Sequence, residues 1–269
     1  MSVDDSDIIN QARKIVEANG YGKVISFVRG KIEDVDVPLV KDEVDVIISE
    51  WMGYALFFET MLPSVISARD RFLKATGTMF PNACQVFVEG GSDRRLDFWS
   101  NVHGIDMFSM REPIEMELTT EANVESFKNE AIITDRVELI GFDLNSCLDR
   151  DLDFEVPFRL QLKSGEENKK LDVLVVSFDI DFNFNCSVPI SFTTGCHAVP
   201  THWYQTVLWL EPRVAPTLEI GEEFGGTFKM GRNTKNPRDM DFHVLWHVTD
   251  CNGKSRCDGS IRSKLGANN

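Results

Sequence analysis

The chain has 269 residues, 42% of them hydrophobic, enough for one large domain or two ordinary ones with packed cores, and it carries a formal net charge of −15. That charge argues against a general grip on nucleic acid, which needs basic surface, and suits basic protein partners through long-range attraction. No run approaches the roughly 18 apolar residues of a membrane span, and Met1–Asp5 has neither the basic nor the apolar part of a signal peptide. The expectation is therefore no nucleic acid, no membrane, and a place in the cytosol or nucleus. Six cysteines without a Cys-x-x-Cys pair are expected to be free thiols, with no metal site.

In chain order, Asp7–Ala18 places Ile8, Ile9, Ala12, Ile15 and Val16 at helical spacing, with Asp4, Asp5 or Ser6 available as a cap and Asn19-Gly20 as a stop. Lys23–Val28 predicts a short strand and Gly30-Lys31-Ile32-Glu33 a loop. Glu43–Ile48 predicts a strand buried on both faces, interrupted only by Asp45. Glu50 follows its carboxyl end, where open α/β sheets place ligands. Gly53 permits a sharp turn, after which Phe57–Leu62 is expected to start a helix that carries Glu59 back towards Glu50. Two carboxylates among Trp51, Met52, Tyr54, Phe57 and Phe58 are costly to desolvate without a cation or hydrogen-bond donors, and a pair invites a shared cation. Either glutamate taken alone also reads as a helix cap or a solvated loop charge.

Beyond Phe80-Pro81 the texture changes to short alternating segments, which sets a domain boundary between 1–81 and 82–269. The predicted strands are 85–88, 115–118, 131–133, 136–140, 158–162, 171–178, 180–184, 190–192, 205–210, 227–230 and 242–248, the pattern of a sandwich or barrel. The aromatic stretch Phe98–Met107 reads as core or as interface. The tail Cys251–Asn269 has no periodicity and is expected to be frayed. His202, beside Trp203, reads on general grounds as a hydrogen-bonded packing residue.

Ser49-Glu50-Trp51-Met52-Gly53-Tyr54 followed by Glu59 closely resembles the double-glutamate hairpin of the protein arginine methyltransferases, and Met61-Leu62, Ala68-Arg69-Asp70, Leu73, Gly77 and Phe80-Pro81 continue the likeness. Thr201-His202-Trp203, Gly221-Glu222 and Asn236-Pro237-Arg238 extend it over about residues 3–250. The resemblance implies an α/β plus β architecture: an incomplete S-adenosylmethionine-binding Rossmann-like domain over 1–81, then a β-barrel substrate-binding domain over 82–269. Its dimerisation arm falls near 98–125, so a homodimer through Trp99–Met107 is expected. Asp5–Ala12 looks most like the branch that bears a zinc finger. The family's N-terminal helices and glycine-rich cofactor loop have no counterpart in the sequence, which implies weak cofactor binding by this chain.

The resemblance also assigns roles. Asp4 stands where the family binds the cofactor's ribose, Ile32 and Glu33 where it meets the adenine, and Met61 and Ser64 where it touches the cofactor's far end, with Glu50 close by. Asp4 reads equally as a helix cap and Glu33 as a surface loop charge. Met52, Tyr54 and Trp203 would shape the substrate slot. His202 joins Glu50 and Glu59 as an expected catalytic residue, with Tyr204 replacing the family's usual lysine. The implied activity is methyl transfer to arginine in protein substrates, with asymmetric dimethylarginine as product. An inactive dimerising partner of an intact methyltransferase is the alternative. A glycosidase fits the glutamate pair but neither Asp4 and Glu33 nor Thr201-His202-Trp203.

Overall fold

The computed structural model describes residues 1–38, 43–184 and 186–266. The chain divides into two compact units, Met1–Trp51 with Met61–Phe80 and Met52–Thr60 with Pro81–Asn269. The segment 52–60, expected within the N-terminal domain, groups with the second unit.

In the first unit, β1 (Ser2–Asp4) leads into α1 (Ile8–Ala18), followed by β2 (Phe27–Arg29), β3 (Val44–Ile48), α2 (Leu62–Phe72) and β4 (Leu73–Phe80). β1 pairs in parallel with β2, Ser2 opposite Phe27 and Asp4 opposite Arg29. β3 pairs in parallel with β4, Val46 opposite Thr78 and Ile48 opposite Phe80. The predicted strand over 23–28 shrinks because the backbone after α1 keeps turning, with the Val24 and Ile25 N–H groups both donating to the Tyr21 carbonyl. β3 is not buried on both faces: Ile48 is 80% exposed, since among the described residues the strand has a neighbour on one edge only. α2 buries Leu62, Val65, Ile66, Arg69 and Phe72, one face at helical spacing. No helix starts at Phe57. Residues 54–60 are turns, and α2 begins only at Leu62 with Pro63 in its first turn, where a missing N–H costs nothing.

Among the described residues the second unit is built from two large antiparallel sheets and a two-stranded one. It runs through β5 (Ala83–Gly91), α3 (Arg111–Thr120), β6 (Asn123–Glu125), β7 (Val137–Asp143), β8 (Phe154–Gln161), β9 (Lys169–Lys170), β10 (Val173–Asp181), β11 (Ser191–Thr193), β12 (Gln205–Trp209), β13 (Thr217–Leu218), β14 (Glu223–Arg232), β15 (Met240–Thr249) and β16 (Ser255–Leu265). One large sheet has the order β6-β12-β10-β5-β7, with β11 added to β10, the other β16-β15-β14-β8, and the two-stranded one is β13-β9. β10, flanked by β5 and β12, buries Val173–Phe178 and Ile180, and β12 is buried throughout. Leu96, Phe127, Ile132, Val173, Val175, Val207 and Trp209 form a cluster against which Ile114 and Leu118 of α3 pack.

Four expectations fail here for physical reasons. Residues 131–133 form no strand, because a 3-10 turn over Asn129–Ala131 leads into single bridges of Ile132 to Gly91 and Thr134 to Leu162. Residues 115–118 form part of α3, because Ile114 and Leu118, four apart, present one helical face to that cluster. The strand expected over 180–184 is not separate: β10 continues through Asp181, opposite Ala83. The tail is not frayed over 255–265, because Ile261, Ser263 and Leu265 alternate inwards while β16 pairs along β15. Its last three residues, 267–269, lie outside the described residues. No helix among the described residues is long and apolar enough to cross a membrane.

Candidate active site

The first unit carries a cavity of about 260 Å³ that follows β3 from Val44 to Ser49. Ile32, Met61 and Ser64 line it together with Val3, Val65, Ala68 and Phe72. Two hydrogen bonds fix the Ile32-Glu33 loop to α2: the Ser64 hydroxyl donates to the Glu33 carboxylate, and the Arg71 guanidinium donates to the Ile32 carbonyl. Ser64 and Arg71 are seven residues apart, two helical turns on one face, which lets both reach the same loop. Four of the expected cofactor residues, Ile32, Glu33, Met61 and Ser64, are thereby brought together. Asp4 ends β1 and closes a turn, its Oδ1 accepting from the Ser6 N–H at 2.7 Å and the Ser6 hydroxyl at 2.6 Å. It does not cap α1, whose first residue is preceded by Asp7 without a side-chain cap. Glu50 follows β3, exposed, one residue past Ser49 of the cavity wall.

The second unit carries Met52–Thr60 as a strained turn. Ala55, Leu56, Glu59 and Thr60 have φ of 47°, 71°, 73° and 55°, a left-handed conformation costing non-glycine residues about 1–2 kcal/mol each. Such strain persists only where surroundings over-determine it. Here Gly53 N–H donates to the Leu56 carbonyl at 2.9 Å and Phe58 N–H to the Tyr54 carbonyl at 3.0 Å. A Cβ on Gly53 would lie 2.0 Å from the Phe58 carbonyl oxygen, so the turn requires glycine there. Leu56 is fully buried, Phe57 packs edge-on against Phe142, and Tyr54 stacks on Phe58.

Trp203 holds the start of the turn, its Nε1 donating to the Met52 carbonyl at 3.0 Å. The indole is itself fixed by stacking on Phe192 at 5.4 Å and by an edge contact with Phe178. Met52, Tyr54 and Trp203 thus belong to one construction. His202 is exposed and lies over the Trp203 ring at 3.9 Å between centroids. Glu59 is paired with Arg238, Nη2 to Oε1 at 3.2 Å. Arg238 and Arg71 were not singled out by the sequence reading as site residues. Glu50 falls in the first unit and Glu59 in the second. No group of three or more potential metal ligands occurs among the described residues.

A parallel α/β unit with its cavity beside a strand, and an antiparallel β unit carrying a strained acidic turn, together define a known class of fold. The chain matches protein arginine methyltransferase 10 of Arabidopsis thaliana with a TM-score of 0.85 at 24% identity, covering 98% of this chain and 82% of that one. It matches a chain of the Trypanosoma brucei PRMT1 enzyme-prozyme heterotetrameric complex with AdoHcy at 0.81 and 32% identity, covering 98% and 80%. Residues 77–251 match the model of the arginine methyltransferase oligomerization subdomain. Among curated relatives, ribosomal protein arginine N-methyltransferase rmt3 of Schizosaccharomyces pombe is 37% identical over 94% of this chain and 47% of its own length. Protein arginine N-methyltransferase 1 of Saccharomyces cerevisiae is 35% identical over 98% and 73%. The chain belongs to the protein arginine methyltransferase family. It spans about half the length of the rmt3 relative and 62% of protein arginine N-methyltransferase 1.1 of Arabidopsis thaliana.

Proposed function

We propose that the chain serves methyl transfer from S-adenosylmethionine to arginine side chains of proteins. The observation that carries this reading is the convergence of Ile32, Met61 and Ser64 on one cavity, with Glu33 tied to Ser64. Ile32 and Met61 offer apolar walls for a flat ring, and Glu33 offers an acceptor for an exocyclic amine. Asp4, at the end of β1, is the acceptor assigned to the ribose. The cofactor supplies an activated methyl group on a sulfonium.

Guanidinium is a poor nucleophile, because its charge is delocalised and its pKa above about 12 prevents simple deprotonation. Glu50 and Glu59 would accept its N–H groups in charge-assisted hydrogen bonds and draw positive charge onto the nitrogens they bind. The remaining nitrogen would take the methyl carbon as the methyl–sulfur bond broke, leaving a neutral thioether, and the proton it sheds would pass to water. Met52 and Tyr54 shape the slot, with asymmetric dimethylarginine as the proposed product, while Trp203 braces the Glu59 turn and His202 lines the substrate side. The arm supports assembly: Phe98, Ile105 and Phe108 are each more than half exposed on one segment, which suits a homodimer through Trp99–Met107. Trp99→Ala is expected to shift sedimentation towards the monomer.

Glu50→Gln and Glu59→Gln are each expected to lower turnover on an arginine-containing peptide by a factor on the order of 10² or more, with cofactor affinity much less affected. Wild-type turnover in either variant would sink the glutamate assignment. A second reading, in which the chain is an inactive partner of an intact methyltransferase, draws support from its likeness to a chain of an enzyme-prozyme complex. Mixing the chain with an active relative separates the two: stimulation without intrinsic turnover supports the partner role.

A further inference from the structure

We propose that Arg238 is a positioning residue, holding the Glu59 carboxylate by one oxygen so that the other faces an incoming guanidinium. The proposal rests on the reading of Glu59 as a substrate-binding carboxylate. Glu59 and Thr60 both lie in the left-handed region at φ 73° and 55°, and the local support they have is the Thr60 N–H donating to the Phe57 carbonyl at 3.0 Å. Three further contacts hold the two residues from outside the turn, and these come from Pro237 and Arg238. The Glu59 N–H donates to the Arg238 carbonyl at 2.9 Å, the Thr60 hydroxyl donates to the Pro237 carbonyl, and Arg238 Nη2 meets Glu59 Oε1 at 3.2 Å.

The turn that presents Arg238 is itself rigid, as a positioning element must be. Asn233 Oδ1 accepts the N–H groups of Lys235 and Asn236 at 2.9 and 3.0 Å, and its Nδ2 bonds both Asp241 oxygens. The Arg238 N–H donates to Asn236 Oδ1 at 3.3 Å, and the Asn233 N–H to the Asp239 carbonyl at 2.9 Å. Asp239, 5% exposed, is anchored to Lys264 of β16 at 2.8 Å. A fixed turn at the end of the β14–β15 hairpin therefore holds out a carbonyl and a guanidinium to the Glu59 segment.

The ion pair is not there for stability, because its side chains are 67% and 60% exposed and exposed pairs contribute little. Its effect is directional. A planar guanidinium on Oε1 fixes the plane of the carboxylate and leaves Oε2 as the acceptor, so two guanidinium groups, one resident and one arriving, share Glu59.

The test compares Arg238→Ala and Arg238→Lys with wild type in the full chain, using Lys229→Ala, which breaks another exposed pair, with Glu155, as control. Amide hydrogen exchange is expected to rise about tenfold over residues 58–61 in Arg238→Ala, less in Arg238→Lys, and not at all in the control. Unchanged exchange in Arg238→Ala overturns the proposal. Titration with an arginine-containing peptide is expected to show about tenfold weaker binding for Arg238→Ala, partly rescued by Arg238→Lys, with cofactor affinity unaltered. Tighter peptide binding would mean that Arg238 competes with the substrate, and overturns the proposal too. Glu59→Gln in the same titration separates the two ideas. If it weakens the peptide and Arg238→Ala does not, positioning fails. If it changes nothing, the assignment of Glu59 fails, and the exchange data still decide whether Arg238 holds the turn.

Discussion

β3 and β10 are both apolar segments, Val-Asp-Val-Ile-Ile and Val-Leu-Val-Val-Ser-Phe-Asp-Ile-Asp, and from sequence both read as strands. β10 lies between β5 and β12, and Val173–Phe178 are all buried. β3 has β4 on one edge only among the described residues, with Val46 44% and Ile48 80% exposed. Hydrophobic pattern states how much burial a strand requires, whereas neighbours decide whether this chain supplies it. The same contrast holds for single polar groups: Glu89, on β5 inside the second unit, is 3% exposed, whereas Glu50 after β3 is exposed.

The largest effect that sharpens this contrast is expected from Phe178→Ala, which removes a ring 1% exposed and in contact with Trp203. A loss of about 3–5 kcal/mol is expected, read from the urea midpoint, and a loss below about 1 kcal/mol would mean that β10 is not the packed centre. Gly53→Ala should cost about 1–3 kcal/mol, because the new Cβ must displace the Phe58 carbonyl, and the change should also appear in tryptophan fluorescence. A variant as stable as wild type would show that the turn can open without strain.

Glu89→Gln gives a pH-dependent effect. Burial pushes the Glu89 carboxyl above its usual range, outweighing the attraction of Arg136, Lys163 and His197, while Asp179 pushes it the same way as burial. The folded state therefore holds the proton more tightly than the unfolded one, and stability falls as pH rises from about 4 upwards until the folded group has also ionised. Glutamine cannot ionise, so Glu89→Gln should gain on wild type across that window and then hold a constant advantage. An advantage independent of pH would rule out burial of the charge as its source. The smallest effect is expected at the other pole of the comparison: Ile48→Ser should change the midpoint by no more than about 0.5 kcal/mol. A loss like that of Phe178→Ala would show that β3 is covered after all.

The sequence carried the α/β-then-β order, because hydrophobic period is a local property. It also carried the grouping of Ile32, Glu33, Met61 and Ser64, but only through the family resemblance. What it hid is set by distant partners. α3 was read as a strand because Glu115-Met116-Glu117-Leu118 alternates, and only the cluster beneath Ile114 and Leu118 reveals which period governs. β16 was hidden because half of an edge strand faces solvent, leaving Ile261 and Leu265 as its only large apolar anchors. The strained turn at 55–60 could not be anticipated either, since its left-handed residues are not glycines and their supports, Pro237 and Arg238, lie far along the chain.

The pairing of β5 has a consequence for the order in which the protein can be made. Its two edges are closed by β7 and β10, with Ala83 opposite Asp143 on one side and Asp181 on the other. During synthesis β5 therefore waits first for Asp143 and then for Asp181 to leave the ribosome, which at roughly 5–20 residues per second is a delay on the order of ten seconds. Throughout it Val86 and Val88 lie on a nascent strand whose second edge is open, the state that invites pairing with the wrong chain. Synthesis rate between codons 92 and 181, rather than the stability of the finished fold, should then set how much of this chain reaches it.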